Sequence, residues 1–108
     1  MNRSEDKTNV KLLGMLGLAA RARKLIAGTE IVTERIKSGK KVFFVIIASD
    51  VSENTFNKIK NCCEYYGVNF VKSTVLQEEL SHSIGKMCLT SSVAILDQNF
   101  SDAVKKLV

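Results

Sequence analysis

The sequence predicts an α/β chain folded as a three-layer α-β-α sandwich, with a mixed sheet of about four strands and about five helices. Three observations predict it. Segments with helical periodicity alternate with short apolar runs, the connections between them are short, and proline is absent from all 108 residues. The run Val42–Ala48 (Val-Phe-Phe-Val-Ile-Ile-Ala) has no polar alternation, which marks a strand buried on both faces within a sheet covered by helices.

Met1–Thr8 is polar and mixed in charge and reads as a disordered tail, leaving residues 9–108 as a single domain without linker or repeat. From Asn9 to Arg23, Leu12, Leu13, Leu16, Ala19 and Ala20 recur at helical spacing. Gly14 and Gly17 weaken that helix by about 1 kcal/mol each relative to alanine, which close approach to a neighbouring strand would explain. Leu25–Ala27 is a short strand. Thr29 is placed as the N-cap of a helix running to Ser38, with Val32, Ile36 and Ile31 inward and Gly39 as its C-terminal stop.

After the strand Val42–Ala48 and the junction Ser49-Asp50, Ser52 caps a helix over Glu53–Tyr66, whose inward face is Phe56, Ile59, Cys63 and Tyr66. Gly67 ends it and Asn69–Lys72 is the next strand. Thr74 and Gln77 have capping-box spacing before a helix carrying Leu76, Leu80 and Ile84 and closed by Gly85. The loop Lys86–Ser91 leads to the strand Ser92–Leu96. Asp97 caps a last helix with Phe100, Ala103, Val104 and Leu107 on one face.

Sixteen basic against eleven acidic residues give a net charge of +5, a balance that favours an acidic partner such as RNA, DNA or an anionic membrane. Apolar residues at 45% are too many for a disordered chain. Three cysteines, two of them adjacent and none in a Cys-x-x-Cys pattern, indicate free thiols in a reducing compartment. With neither a signal peptide nor an apolar run of the roughly 20 residues that span a bilayer, a cytoplasmic monomer with no membrane association is expected.

Catalysis finds no support. His82 is the only histidine, no carboxylate is placed by spacing to orient it, and the thiols lack a partner. Glu78-Glu79 reads as a solvated pair. Cys63 belongs to the core face, Cys62 is its passenger, and Cys88 lies in a loop. One histidine and scattered cysteines do not have zinc-ligand spacing, so no metal or cofactor is expected.

Binding is better supported. In an open α/β sheet, ligands gather where strands run into helix N-termini. Three such junctions are visible: Gly28-Thr29, Ser49-Asp50 and the loop Lys86–Ser91. A helix start offers unpaired N–H groups and the positive end of its dipole to an anion. Arg21, Arg23, Lys24, Arg35 and Lys37 flank the first junction in sequence, which makes nucleic-acid phosphate the natural anion.

Leu-Leu-Gly-x-Leu-Gly-Leu-Ala at Leu12–Ala19, Arg-Ala-Arg-Lys at Arg21–Lys24, Ser-x-Asn-Thr at Ser52–Thr55, Cys-x-Tyr-Tyr at Cys63–Tyr66 and Ser-Ile-Gly-Lys at Ser83–Lys86 carry a resemblance. Through them the chain resembles the kink-turn RNA-binding ribosomal protein superfamily (archaeal ribosomal protein L7Ae type), and within it the bacterial YlxQ-like branch. The resemblance runs from Val10 to Leu107. It implies a non-catalytic α-β-α sandwich that grips a sharply bent RNA, ribosomal or regulatory, with the ribosome as a candidate partner. It further implies that tandem sheared G·A pairs meet Gly28–Glu34, and that the loop Met87–Ser91 covers a flipped-out nucleotide. In that loop Met87 and Leu89 would shelter the base beside Cys88, Thr90 and Ser91, with Lys86 reaching a phosphate.

The chain departs from the family pattern of Gly-Thr-Asn-Glu followed by a lysine three positions later. Gly28 and Thr29 remain, but Glu30, Ile31 and Glu34 stand at the other three positions. Glu30 retains the capacity to accept hydrogen bonds from a guanine edge, whereas Ile31 accepts none and Glu34 repels phosphate. Each lost base-edge contact is worth about 1–3 kcal/mol. Weakened or altered RNA binding is therefore expected, with the basic residues carrying more of it. The alternative is a protein-interaction module that kept the sandwich and lost its RNA grip.

Overall fold

At the centre lies strand β2 (Phe44–Ile47), every residue of which is buried, as its unbroken apolar run requires. It pairs in parallel with β3 (Phe70–Lys72) and antiparallel with β4 (Ser92–Ile95), and β4 pairs antiparallel with the edge strand β1 (Leu25–Ala27). The mixed sheet thus has the order β1-β4-β2-β3. The computed structural model describes residues 3–108, so the first two residues of the expected tail lie outside the described residues. Helix α1 spans Arg3–Arg21, starting upstream of the predicted Asn9.

Alternation along the strands divides the core into two layers. Phe44, Ile46, Ala48, Val93 and Ile95 face Leu12 and Leu16 of α1, Leu80 of α4 (Gln77–Ser83) and Val104 of α5 (Gln98–Lys105). Val45, Ile47 and Ala94 face Val32 and Ile36 of α2 (Thr29–Lys37) and Ile59, Cys62 and Cys63 of α3 (Glu53–Tyr66). The result is the α-β-α sandwich that the pattern predicts.

Most helix ends follow the local signals. The Ser52 hydroxyl accepts from the Thr55 N–H at 3.1 Å, and the Asp97 carboxylate accepts from the Phe100 N–H at 3.2 Å. Gly67 takes the left-handed conformation, with φ at 71°, and closes α3. Helix α4 differs from expectation: Thr74 does not cap it, and its hydroxyl instead donates to Asn9 Oδ1. The Glu79 carboxylate accepts from the Leu76 N–H, while Asp50 caps the helix from across the chain by accepting from the Gln77 N–H at 2.8 Å.

Gly17 approaches a helix rather than a strand. A Cβ there would lie 2.8 Å from the Ser83 carbonyl oxygen at the end of α4, whereas one at Gly14 would meet nothing. Two expected core positions are also corrected: Tyr66 and Ile31 are 46% and 53% exposed. Ile31 lies one residue, hence about 100°, away from Val32, the position that α2 turns to the sheet.

Cys62 is buried rather than a passenger, its thiol directed at the Thr33 carbonyl, and Cys63 is fully buried. Burial, followed by the neighbouring Cys62 and Glu64, pushes the Cys63 thiol up to about 12. Its proton is therefore held by the folded chain at pH values where an unfolded thiol, near 8.5, has already released it. The resulting stability is complete below that value and is lost as pH rises towards 12. A disulfide reagent at pH 8 is expected to modify Cys88, which is exposed, rapidly and the other two at the rate of unfolding. The urea midpoint is expected to fall between pH 8 and pH 10 more steeply in the wild type than in Cys63→Ala.

Candidate nucleic-acid interface

Helix α2 begins without a side-chain cap. Its N-cap is Gly28, one residue before the predicted Thr29, with φ at 106° and ψ at 146°, a conformation that favours glycine. Gly28 is fixed at both ends: its N–H donates to the Ser92 carbonyl and its carbonyl accepts from the Val32 N–H, both at 2.9 Å. Helices α3 and α5 spend an oxygen on their first turns, and α2 does not, so its leading amides face outward with the positive end of the dipole.

Thr29 has a different task. Its hydroxyl lies 2.6 Å from that of Ser91, which in turn lies 3.5 Å from that of Ser92. This pair ties the start of α2 to the loop before β4, across 62 residues of sequence. The Thr33 hydroxyl donates to the Thr29 carbonyl at 2.9 Å and tightens the same turn.

Two of the three predicted junctions, Gly28-Thr29 and the loop before β4, line one cleft of about 410 Å³, and in place of Ser49-Asp50 the residues that follow them, Val51 and Ser52, line it. Gly28 and Thr29 form one wall, Val51, Ser52 and Thr55 a second, and Leu89, Ser91 and Gln77 the remainder. No charged side chain lines it. Asp50, expected in the site, is occupied by Gln77: its carboxylate accepts from the Gln77 backbone N–H and its backbone carbonyl from the Gln77 side-chain amide. Ser49 is only partly exposed, and its N–H donates to the Val75 carbonyl. A second depression of about 270 Å³ lies on the other side of the β1–α2 turn, where Lys86, Ile31 and Ile84 meet Leu25 and Ala27. Beyond it Met87, Cys88 and Leu89 project into solvent while Thr90 and Ser91 are buried.

The cations are redistributed relative to the sequence. Lys24 and Gly28 lie at opposite ends of β1, bonded to Leu96 and Ser92 of the partner strand, so about 13 Å of extended chain separates them. Arg23 and Lys24 are exposed there, and Arg21 lines a groove between α1 and α4 together with His82, Glu78 and Glu79. Both carboxylates thus share a groove with His82, which spacing did not foresee. Arg35 is half-buried and donates to the Lys41 carbonyl at 3.4 Å, so it braces the α2–β2 connection. Lys37 lies in the last turn of α2.

The cation delivered to the first turn of α2 is Lys58, from α3, which forms an ion pair with Glu30. Its hydrogen bond and charge hold the Glu30 carboxyl below the usual carboxylate range, with a smaller contribution from Lys37. Lys58, Thr55 and Gln77 carry no local signal for this site, because only the packing of α3 and α4 brings them here. Among the described residues no group of three or more metal-ligating side chains forms, and no helix is long and apolar enough to cross a membrane.

A four-stranded mixed sheet between two helical layers, with an open helix start beside a loop rich in small and apolar residues, defines an α-β-α sandwich with a candidate anion site at one helix mouth. The chain belongs to the Ribosomal protein L7Ae/L30e/S12e/Gadd45 family, which matches residues 10–105. The chain is similar to the RNA-binding protein YlxQ of Bacillus subtilis (strain 168), with 35% identity over 94 residues, covering 87% of this chain and 91% of that protein. The RNA-binding protein YlxQ of Enterococcus faecium is 35% identical over 98 residues, covering 91% of each. Among solved structures, a protein with unknown function from Bacillus halodurans C superposes with a TM-score of 0.80 at 34% identity, covering 90% of this chain and 95% of that one. The Giardia lamblia 15.5kD RNA binding protein shares the fold, with a TM-score of 0.69 at 19% identity, covering 94% and 91%.

Proposed function

We propose that residues 9–108 form one non-catalytic RNA-binding domain that docks a kinked or looped structured RNA at the α2 mouth, in the cytoplasm and in contact with ribosomal or regulatory RNA. The observation that carries this reading is the uncapped start of α2, open to a cleft of amides and hydroxyls with no carboxylate in its lining. Phosphate fits such a site, since N–H groups and the helix dipole both favour an anion. Exposed Met87 and Leu89 beside it suit an unstacked base, and irregular RNA is what proteins read most readily. The similarity to two proteins described as RNA-binding supports the same reading.

Among the residues predicted from sequence, Gly28, Thr29, Leu89 and Ser91 line the cleft and Lys86 lines the second depression, while Met87, Cys88 and Thr90 belong to the loop that joins Lys86 to Ser91. Glu30 would face the RNA with Lys58 at its side. Arg21, Arg23, Lys24, Arg35 and Lys37 lie farther out and would serve flanking phosphates. Free thiols at Cys62, Cys63 and Cys88 agree with a reducing compartment.

Gel-shift titration is expected to show tighter binding to a kink-turn RNA than to the same RNA with its G·A pairs replaced. Equal affinity would remove the kink-turn preference, and no binding to either would remove the function. With three to five phosphate contacts, log K should fall against log salt with a slope of roughly −3 to −5. Lys58→Met is expected to leave Glu30 an unpaired anion at the mouth and to weaken RNA binding about tenfold, whereas Lys58→Met combined with Glu30→Gln recovers part of the loss. Failure of the double variant to recover would separate Lys58 from Glu30.

A further inference from the structure

Helices α2 and α3 lie side by side and run in the same direction. Glu30 pairs with Lys58, and a turn later the Cys62 sulfur lies 3.8 Å from the Thr33 carbonyl. Another turn along that seam brings Lys37 to the level of Tyr65 and Tyr66. Lys37 opposes the burial-driven rise of the Cys62 thiol, which agrees with that placement. Helix α2 ends there, and exposed Lys40 and Lys41 follow directly.

Tyr65 is 82% exposed, and its ring meets that of Tyr66 edge to face with centroids 4.9 Å apart. No core contact requires an aromatic residue at so exposed a position, and its neighbour holds the ring from one side only. The acidic groups nearby are Glu34, one turn before Lys37, and Glu64, which pairs with Lys60 at 3.9 Å. Three lysines therefore outweigh one uncommitted carboxylate.

We infer that Tyr65, Tyr66, Lys37, Lys40 and Lys41 form a second binding surface, for unpaired RNA, at the opposite end of α2 from its mouth. Bases stack on the open face of Tyr65 while the lysines hold the phosphates on either side. Exposed aromatic rings set among cations bind single strands in this way, because every base has a π-face and every linkage a charge. The lysine rim favours this occupant over an apolar protein surface. About 13 Å separates the two ends of a nine-residue helix, a span that one strand flanking a structured RNA crosses in a few nucleotides.

The chain contains no tryptophan and two tyrosines, both in this patch, so intrinsic tyrosine fluorescence reports on it alone. Titration with oligouridylate of about eight nucleotides is expected to quench that emission. Anisotropy of the labelled oligonucleotide should show Tyr65→Ala binding about tenfold more weakly and Tyr65→Phe unchanged. Replacing Lys37, Lys40 and Lys41 together by alanine should flatten the salt dependence by about 2 in slope. Gly28→Ala, which weakens the mouth, is expected to keep the quench at a temperature where circular dichroism shows the variant folded, so failure of the mouth and failure of the patch are read separately. No quench, or equal affinity of Tyr65→Ala and wild type, overturns the inference. A polypeptide competing at Tyr65 where the oligonucleotide does not bind would overturn it in favour of a protein-docking surface.

Discussion

Ile46→Ala is expected to destabilise the fold by about 2–5 kcal/mol, a drop in Tm of roughly 10–30 °C for a domain of this size. Ile46 is wholly buried in the strand that β3 and β4 flank, and it points into the layer formed by α1, α4 and α5. Truncation removes its transfer free energy and leaves a void that strands paired on both sides cannot close. Chemical denaturation should show a lower midpoint with an unchanged m-value, since the surface exposed on unfolding is nearly the same. Ile31→Ala supplies the contrast. That side chain is more than half exposed, and its truncation should change stability by less than about 0.5 kcal/mol. Equal losses at the two positions would contradict the burial of Ile46 and the exposure of Ile31.

The difference between these isoleucines shows what local pattern can and cannot resolve. Val42–Ala48 is legible as a buried strand because a continuous apolar run has one stable location in a sandwich. Ser52, Asp97, Gly39 and Gly67 are legible because capping is chemistry within a few residues. Ile31 was misread because an apolar residue beside Val32 fits a core pattern unless the phase of a nine-residue helix is known to within one position. Thr29 was misread for a different reason: its hydroxyl is satisfied by Ser91, a partner that no local spacing reveals.

The sequence offers three separate junctions, of which Gly28-Thr29 and the loop before β4 line one cleft while Ser49-Asp50 does not. The charge of the site was less legible. Residues adjacent in sequence are carried apart when a strand lies between them, which removes Lys24 from the mouth. The cation that stands there, Lys58, comes from another helix. Asp50 takes the capping role expected of Thr74, because a carboxylate after β2 reaches the open end of α4, and the Thr74 hydroxyl turns to Asn9 instead.

Gly28→Ala is expected to lower stability by about 1–3 kcal/mol and RNA affinity by about tenfold or more. Space is not the obstacle. A Cβ at this position would have only the Ile31 Cδ1 for a neighbour, at 4.0 Å. The obstacle is the backbone: φ of 106° is strained for any residue with a side chain, and the Gly28 N–H and carbonyl are both committed, to Ser92 and Val32. Relaxing φ therefore breaks a strand-end hydrogen bond or the first turn of α2, and either outcome turns the Thr29 amide away from the cleft. An amide donating to a phosphate is worth more than a neutral pair, which sets the size of the affinity loss. Thermal unfolding and gel-shift titration of one preparation measure both effects. A clash-based account predicts a harmless alanine and a damaging valine, whereas the backbone account predicts similar damage from both. An alanine variant with wild-type Tm and wild-type affinity would mean that the α2 mouth does not depend on the conformation of Gly28.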